Sequence, residues 1–370
     1  MSLVLSLIRN EIEKTWRSRW ILFAVLGGLF LLIAGGLYIY YVHVENRWTP
    51  QAPVAWQSQL REQIQSNQQE VANLEQVKQQ SQGGGTVRIG GRGGGDLTLD
   101  QAIAQAKQAV TDDQYLIDHD IAPVQSFAIA QASLFALGGI VMFLLVRIFG
   151  WLASEQIAGE RSDRTITILL SRPPSRNQVL FAKAIASFLI SLVVVLLTLL
   201  IVFAMFAFWF GSPGSLTDQA GVAIDGAKPL GPGNLLQMPI WLFVAMCIGA
   251  AMLGVLCVQG MSLFISVLTG RWAAIGITLA LLFGAPLVST VVTGILFLIS
   301  GGQDSSHFLT YRFFNVLAPV GSVAPTFGNT TAAAGSGINE FVSEVETLAI
   351  WTLGFFLAAF LLFRRKQEAG

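Results

Sequence analysis

Six long apolar runs, separated by polar segments of very unequal length, set the plan of this chain. They fall at about residues 20–42, 126–153, 179–211, 239–268, 272–299 and 346–363. Each is near or above the ~20 residues that carry a helix across a bilayer. Several exceed that minimum, which predicts tilt or extension beyond the hydrocarbon. Ahead of the first run, residues 1–19 place Leu5, Ile8, Ile12 and Trp16 on one helical face, with Arg9, Glu11, Glu13, Lys14, Arg17 and Arg19 over the rest. That pattern predicts an interfacial helix along the membrane surface. No cleavable leader is expected, because the run that follows is longer than a leader's apolar core of ~7–15 residues.

The longest polar segment, 43–125, carries helical spacing twice. Leu60, Ile64, Val71 and Leu74 lie in a Gln- and Glu-rich stretch; Leu99, Ile103, Ala106, Val110 and Ile117 follow before Pro123. Between them, Gly83 to Gly95 holds eight glycines in thirteen residues, a composition that gives a flexible connection. The expectation is an antiparallel helical hairpin with a disordered tip. The glycine run contains neither a dinucleotide fingerprint nor a nucleotide-triphosphate loop. Segments 212–238 and 300–345 read as Gly/Pro/Ser/Asn loops, the second with an aromatic piece from Phe308 to Leu317. The predicted fold is an all-α membrane protein: six transmembrane helices, an N-terminal amphipathic interfacial helix, and an extracytoplasmic helical hairpin between helices 1 and 2.

Composition agrees. Of 370 residues 53% are hydrophobic and 12% charged, with a mean hydropathy of +0.61, whereas a soluble domain is about a quarter charged. Net charge is zero, which gives no bulk attraction to nucleic acid. Lys and Arg set the orientation. Segments 1–19, 154–178, 269–271 and 364–370 hold 12 of them in 54 residues, and segments 43–125, 212–238 and 300–345 hold 8 in 156. The first set is therefore expected inside, with both termini and the 364–370 tail cytoplasmic.

Recognisable catalytic chemistry is sparse. His43, His119 and His307 are far apart and without ligand spacing, so no metal site is expected. Cys247 and Cys257 share one apolar run at ten residues' separation, about 15 Å on a helix, too far to bridge. Gln131, Arg147 and Gln259 are polar side chains inside the runs. They are candidates for an intramembrane pathway, with interhelical hydrogen bonding the competing role for the two glutamines. Arg147 is expected to anchor at the inner interface, or to pair with Glu155 or Glu160. Pro286 is expected to kink the fifth span.

One stretch stands apart: Trp151 to Lys183, a mixed-charge segment between two apolar runs. Ile157, Ile166, Leu169 and Leu170 form a short apolar face beside Glu160, Arg161, Asp163 and Arg164, and Pro173-Pro174 ends any helix at about Arg172. That arrangement suits a surface helix presenting charge to a partner. It resembles the cytoplasmic coupling segment of type-2 ABC exporter permeases. There an acidic residue ends the second membrane helix, a short helix seats on the ATPase, and an L-L-S-x-P-x-S-R turn precedes a helix that begins near a Lys. The matching residues are Glu155, Glu160, Asp163, Thr165, Leu169, Leu170, Ser171, Pro173, Ser175, Arg176 and Lys183, with Arg164 where the family often has Gly. The tight Leu268-Thr269-Gly270-Arg271 turn fits the same plan.

The resemblance implies a bacterial, multi-pass cytoplasmic-membrane permease without its own Walker motifs. It pairs with a second copy or paralogue and with two separate ABC ATPase subunits, which use ATP and Mg. The permease itself would bind no cofactor and no nucleic acid. The residues expected to couple to the ATPase are Glu155, Glu160, Arg161, Asp163, Arg164, Thr165, Leu169, Arg172 and Arg176. The competing class is a membrane scaffold or sensor whose outer hairpin binds a partner; a membrane enzyme is disfavoured because no catalytic constellation is visible.

Overall fold

The computed structural model describes residues 5–15, 27, 35, 56–80, 88–90, 96–127, 129–130, 133, 140–163, 176–210, 215–225, 228–284 and 338–365. A run of apolar residues without a polar face becomes the hub of the membrane region. Helix α6, Ile240–Leu268, is hydrophobic on all sides and buries residues all round its circumference, as an enclosed helix must. Pro239 starts it in extended geometry, and Thr269 ends it, the N–H and hydroxyl of Thr269 both donating to the Ile265 carbonyl at 3.0 and 2.8 Å. Gly270 separates it from α7, Arg271–Gly284, so the expected tight turn is present. Around α6 pack α4, Ile140–Ser162, part of α5, Arg176–Phe210, and α8, Ile338–Arg365. The shared core includes Phe149, Val195, Phe243, Val255 and Leu282.

Three of these helices contain stretches long and apolar enough to cross a bilayer: Gln178–Ala204, Ile240–Leu268 and Phe341–Arg365. The expected spans 179–211, 239–268 and 346–363 fall on them. The expected span 126–153 is described as helix from Ile140. The expected span 272–299 is described to Gly284, and 20–42 lies outside the described residues apart from Gly27 and Gly35. Pro286 and the 308–317 piece lie outside them too. Helix α4 does not stop at Ala153, where the expected span ends; it continues to Ser162, so Glu155, Glu160 and Arg161 ride on the same helix as the described part of that run. Helix α5, at 35 residues, reaches about 52 Å, well beyond the ~30 Å hydrocarbon core.

The helix ends gather into two groups. At one end lie helix α1 (residues 5–15), the end of α4, the start of α5 and the α6–α7 turn. At the other lie helices α2, Trp56–Gln80, and α3, Leu99–Asp118, the connection between α5 and α6, and the start of α8. Helices α2 and α3 pack side by side, and Gln57 meets Asp120, Glu75 meets Lys107, and Lys78 meets Asp100. Falling residue numbers on one helix match rising numbers on the other, so the pair is antiparallel. Helix α3 ends with Asp120 at φ 53°, a left-handed terminal residue that lets Ile121 N–H return to the Leu116 carbonyl at 2.9 Å.

Two short antiparallel ribbons correct the all-helical expectation. At the far end of the hairpin, β1 (Arg88–Gly90) pairs with β2 (Asp96–Thr98); the rest of the glycine-rich tip, where disorder was expected, lies outside the described residues. In the α5–α6 connection, β3 (Gln219–Ala223) pairs with β4 (Leu235–Pro239), Gly221 facing Gln237. Its loop is organised by Asn234, whose amide donates to the carbonyls of Asp225, Lys228 and Pro229. The base of the hairpin sits on this ribbon. Trp56, Leu60 and Leu116 cluster with Ala223 and Leu230, Gly221 N–H donates to the Ala122 carbonyl, and Asn339 N–H on α8 donates to the Ile224 carbonyl.

Candidate functional site

The amphipathic start of the chain finds its partner on α5. Ile8 packs against Ala182 and Ala186, with Leu7, Ile12 and Ile185 around them. The small alanines let α1 lie close, and that docking brings its polar side to the end of α4. Lys14 Nζ reaches Glu160 Oε1 at 2.7 Å; Lys183 Nζ reaches the same oxygen at 2.7 Å and Glu11 Oε1 at 2.9 Å. Two acids and two bases thus join α1, α4 and α5. Lys183 and Glu160 are only 2% and 6% exposed, and a charge so enclosed persists only with a close opposite charge.

Burial alone would push the Glu160 carboxyl up, but the charge of Lys183 and the hydrogen bonds from Lys14 and Lys183 outweigh it and hold it below its ordinary value. Burial would likewise lower Lys14; its hydrogen bond to Glu160 and the nearby acids hold it above the ordinary lysine value.

A second set of contacts joins α4 to the α6–α7 turn. Arg271 places Nη2 3.4 Å from Glu155 Oε1 and Nη1 3.7 Å from Asp163 Oδ1, with its guanidinium 5.7 Å from the Trp272 ring centroid. Arg161 donates from both terminal nitrogens to the Val267 carbonyl at 3.2 Å, one of the last carbonyls of α6, which the helix itself leaves open. Burial lowers the Arg161 guanidinium from its ordinary value. Ser266 Oγ accepts the Ala158 N–H at 2.8 Å and the Ile157 N–H at 3.3 Å. Between α1, α4, α5 and the turn lies a cavity of about 120 Å³, lined among others by Glu11, Lys14, Gln156, Glu160, Lys183 and Arg271.

Of the residues expected to couple, the structure gathers Glu155, Glu160, Arg161 and Asp163 at this end. Arg164, Thr165, Leu169 and Arg172 lie outside the described residues, and Arg176 is the first residue of α5. Glu160 was expected to offer its charge outward; instead it is enclosed by two lysines of its own chain. Asp163 keeps 59% of its side chain exposed.

Gln259 donates to the Ser187 carbonyl at 3.3 Å, an interhelical role. Gln131 is outside the described residues. Arg147 departs from both expectations. It is buried within the helix packing rather than extended to the interface, and its Nη2 donates to the Leu282 carbonyl at 2.8 Å. Glu11, Lys14, Arg271 and Ser266 were not singled out by sequence. The available signal was Lys183, a cation within an apolar run that needs a partner. Among the described residues no cluster of three His, Cys, Asp or Glu side chains could hold a metal ion.

A family model described as ABC-2 family transporter protein matches residues 5–367, nearly the whole chain. No curated protein matches it.

Proposed function

The chain belongs to the ABC-2 family of transporter proteins, as a membrane permease subunit of an ABC transporter, and on that premise we propose that it works in export. In this reading the end of α4, from Glu155 through Asp163, receives the push of a separate ATPase subunit. Two such subunits bind ATP and Mg and dock beneath a pair of permeases, either two copies of this chain or one copy and a paralogue. The permease performs no hydrolysis itself. The membrane is the bacterial cytoplasmic membrane with both termini inside, as the Lys/Arg asymmetry favours.

One observation carries the reading. The end of α4 is tied by charge to α1 and α5 through Lys14 and Lys183, and to α7 through Arg271. A load applied there reaches four helices at once, which a rigid-body rocking mechanism requires. Asp163, at the tip of α4, keeps 59% of its side chain exposed beside Arg271, within reach of a cation on the ATPase.

The test is recovery of the ATPase on affinity-tagged permease at matched membrane expression. Asp163→Arg is expected to reduce recovery several-fold, because interface energy concentrates in few residues. Glu70→Arg, on the outer hairpin, is expected to leave recovery unchanged. Normal recovery with Asp163→Arg and loss with Glu70→Arg would place the partner at the hairpin and favour the scaffold reading.

A further inference from the structure

Helix α6 is gripped at both of its ends. A helix leaves its first four N–H groups and its last four carbonyls without partners of its own. At its start, Ile240 and Trp241 donate their N–H groups to the carbonyls of Asp218 and Leu216 at 3.0 and 2.9 Å. Strand β4 also runs into α6 without a loop, since Pro239 ends the one and Ile240 begins the other. The helix is thereby continuous with the β3–β4 ribbon, covalently and through hydrogen bonds.

The same ribbon carries the hairpin of α2 and α3. Gly221 N–H donates to the Ala122 carbonyl at 2.9 Å, and Leu230 N–H donates to Asp112 Oδ1 at 2.7 Å. What Gly221 provides is space: a Cβ there would lie 2.7 Å from Ile121 Cγ2 and 3.3 Å from Leu235 Cδ1. Backbone meets backbone at this point, and beside it Trp56, Leu60 and Leu116 close over Ala223 and Leu230.

At its other end α6 holds the end of α4. Ser266 Oγ, fully buried, accepts the N–H groups of Ala158 and Ile157 at 2.8 and 3.3 Å. One residue on, the Val267 carbonyl accepts both terminal nitrogens of Arg161. Main-chain N–H groups within a helix ordinarily serve that helix alone. An α6 oxygen on two of them therefore holds α4 by its backbone. Between the two grips α6 runs for 29 residues without a proline, about 43 Å of unbroken helical ladder.

We infer that α6 is a rod whose two grips make the hairpin of α2 and α3 a driven part of the permease: when the end of α4 moves, the hairpin moves with it. The fastening is a property of this chain alone. That an ATPase supplies the movement rests on the proposed function.

The experiment measures distances between two spin labels on the full-length permease, with the buried Cys247 and Cys257 replaced by alanine. In the permease alone, labels at Gln69→Cys on α2 and Trp241→Cys at the start of α6 should give one narrow distance distribution. Gly221→Leu, which drives a side chain into the seat of Ile121, should broaden it. A parent distribution that is already broad, or one that Gly221→Leu leaves unchanged, overturns the rod. Should Gly221→Leu fail to accumulate in membranes, Gly221→Ala takes its place, since its Cβ meets the same Ile121 contact.

In the reconstituted complex, labels at Gln69→Cys and at Leu200→Cys on α5 should change distance when the ATPase is trapped with a non-hydrolysable ATP analogue. Ser266→Ala should recover the ATPase as the parent does, yet keep less than half of that displacement. The variant should fold, because the released N–H groups of Ala158 and Ile157 have the carbonyls of their own helix to serve. A parent complex that hydrolyses ATP and shows no displacement overturns the inference, and so does full displacement in Ser266→Ala. A parent permease that recovers no ATPase strikes the proposed function instead, and the distances in the permease alone then decide the rod.

Discussion

Both ends of the molecule bury carboxylates, and they treat them in opposite ways. At the group of helix ends that includes α1, Glu160 lies among two lysines and its carboxyl is held low. At the other end, Asp112 and Asp113 on α3 are each 1% exposed. Asp112 accepts the Leu230 N–H at 2.7 Å, yet burial still raises it. Burial, reinforced by the charge of Asp112, pushes Asp113 up to about 7. The antiparallel pairing of α2 with α3 sets Asn67 level with Asp113, and Asn67 is itself buried at 3% exposed. Neither the Asn67 amide nitrogen nor Asp113 Oδ2 has a hydrogen-bond partner among the described residues, and each such buried group costs stability. One end spends buried charge on joining four helices; the other keeps it where a proton can change it.

The contrast is sharpest at Glu160. Replacing it by alanine removes the carboxylate shared by Lys14 and Lys183 and leaves the enclosed Lys183 with Glu11 alone. Breaking a buried pair costs roughly 3–5 kcal/mol, so Glu160→Ala should lower the thermal midpoint of the purified permease more than any single change at the hairpin. A midpoint equal to the parent's would mean the quartet holds nothing together.

Second comes the response to pH. A carboxyl held below its ordinary value favours folding above that value and loses the benefit only as pH falls through the lower one. A lysine held above 10.5 keeps its contribution until pH passes that point. Glu160 and Lys14 should therefore be indifferent between pH 5 and 8. Asp113 works the other way: its folded value of about 7 exceeds the ordinary 3.8, so stability falls as pH rises from ~4 to ~7 and is level above. Limited proteolysis within 56–118 should be faster at pH 8 than at pH 5.5, relative to an unstructured control peptide, and Asp113→Asn should flatten the difference. An equal pH response in Asp113→Asn would remove Asp113 as its source.

The smallest effect belongs to the glycine tip. Deleting Gly84 to Gly94 removes β1, whose pairing with β2 spans three residue pairs, and shortening a flexible loop alters its closure by under about 1 kcal/mol. Membrane insertion and midpoint should stay near the parent's. Loss of insertion would show that the ribbon, not the helical seam, holds the hairpin.

Much of the plan was legible because it is periodic. The run at 239–268 became α6 within one residue, and Leu60, Ile64 and Ile103 are buried in the hairpin as their spacing required. The ribbons were not, since Gln219–Ala223 is built of small residues without alternation and Arg88–Gly90 lies in a glycine run. Nor was the inner quartet, which joins Lys14 to Glu160 and Glu11 to Lys183 across more than 140 residues; local spacing carries no information about such a meeting. Arg147 was misread because its hydrogen bond goes to the backbone carbonyl of Leu282, 135 positions away. That is legible only once both helices are in place.

The last helix is held by an absence. Gly260 on α6 faces α8, and a Cβ there would lie 3.1 Å from the Phe356 ring and 3.3 Å from Phe355 Cβ. The opposite stripe of α8 leaves Ile350, Leu353, Leu357 and Leu361 at 60–70% exposed. In lipid, greasiness gives one helix no reason to prefer another; closeness of fit does. A leucine at 260 would make the contact more apolar and the helix less attached, since the solvent around α8 is already oil and the only thing the glycine offers is room.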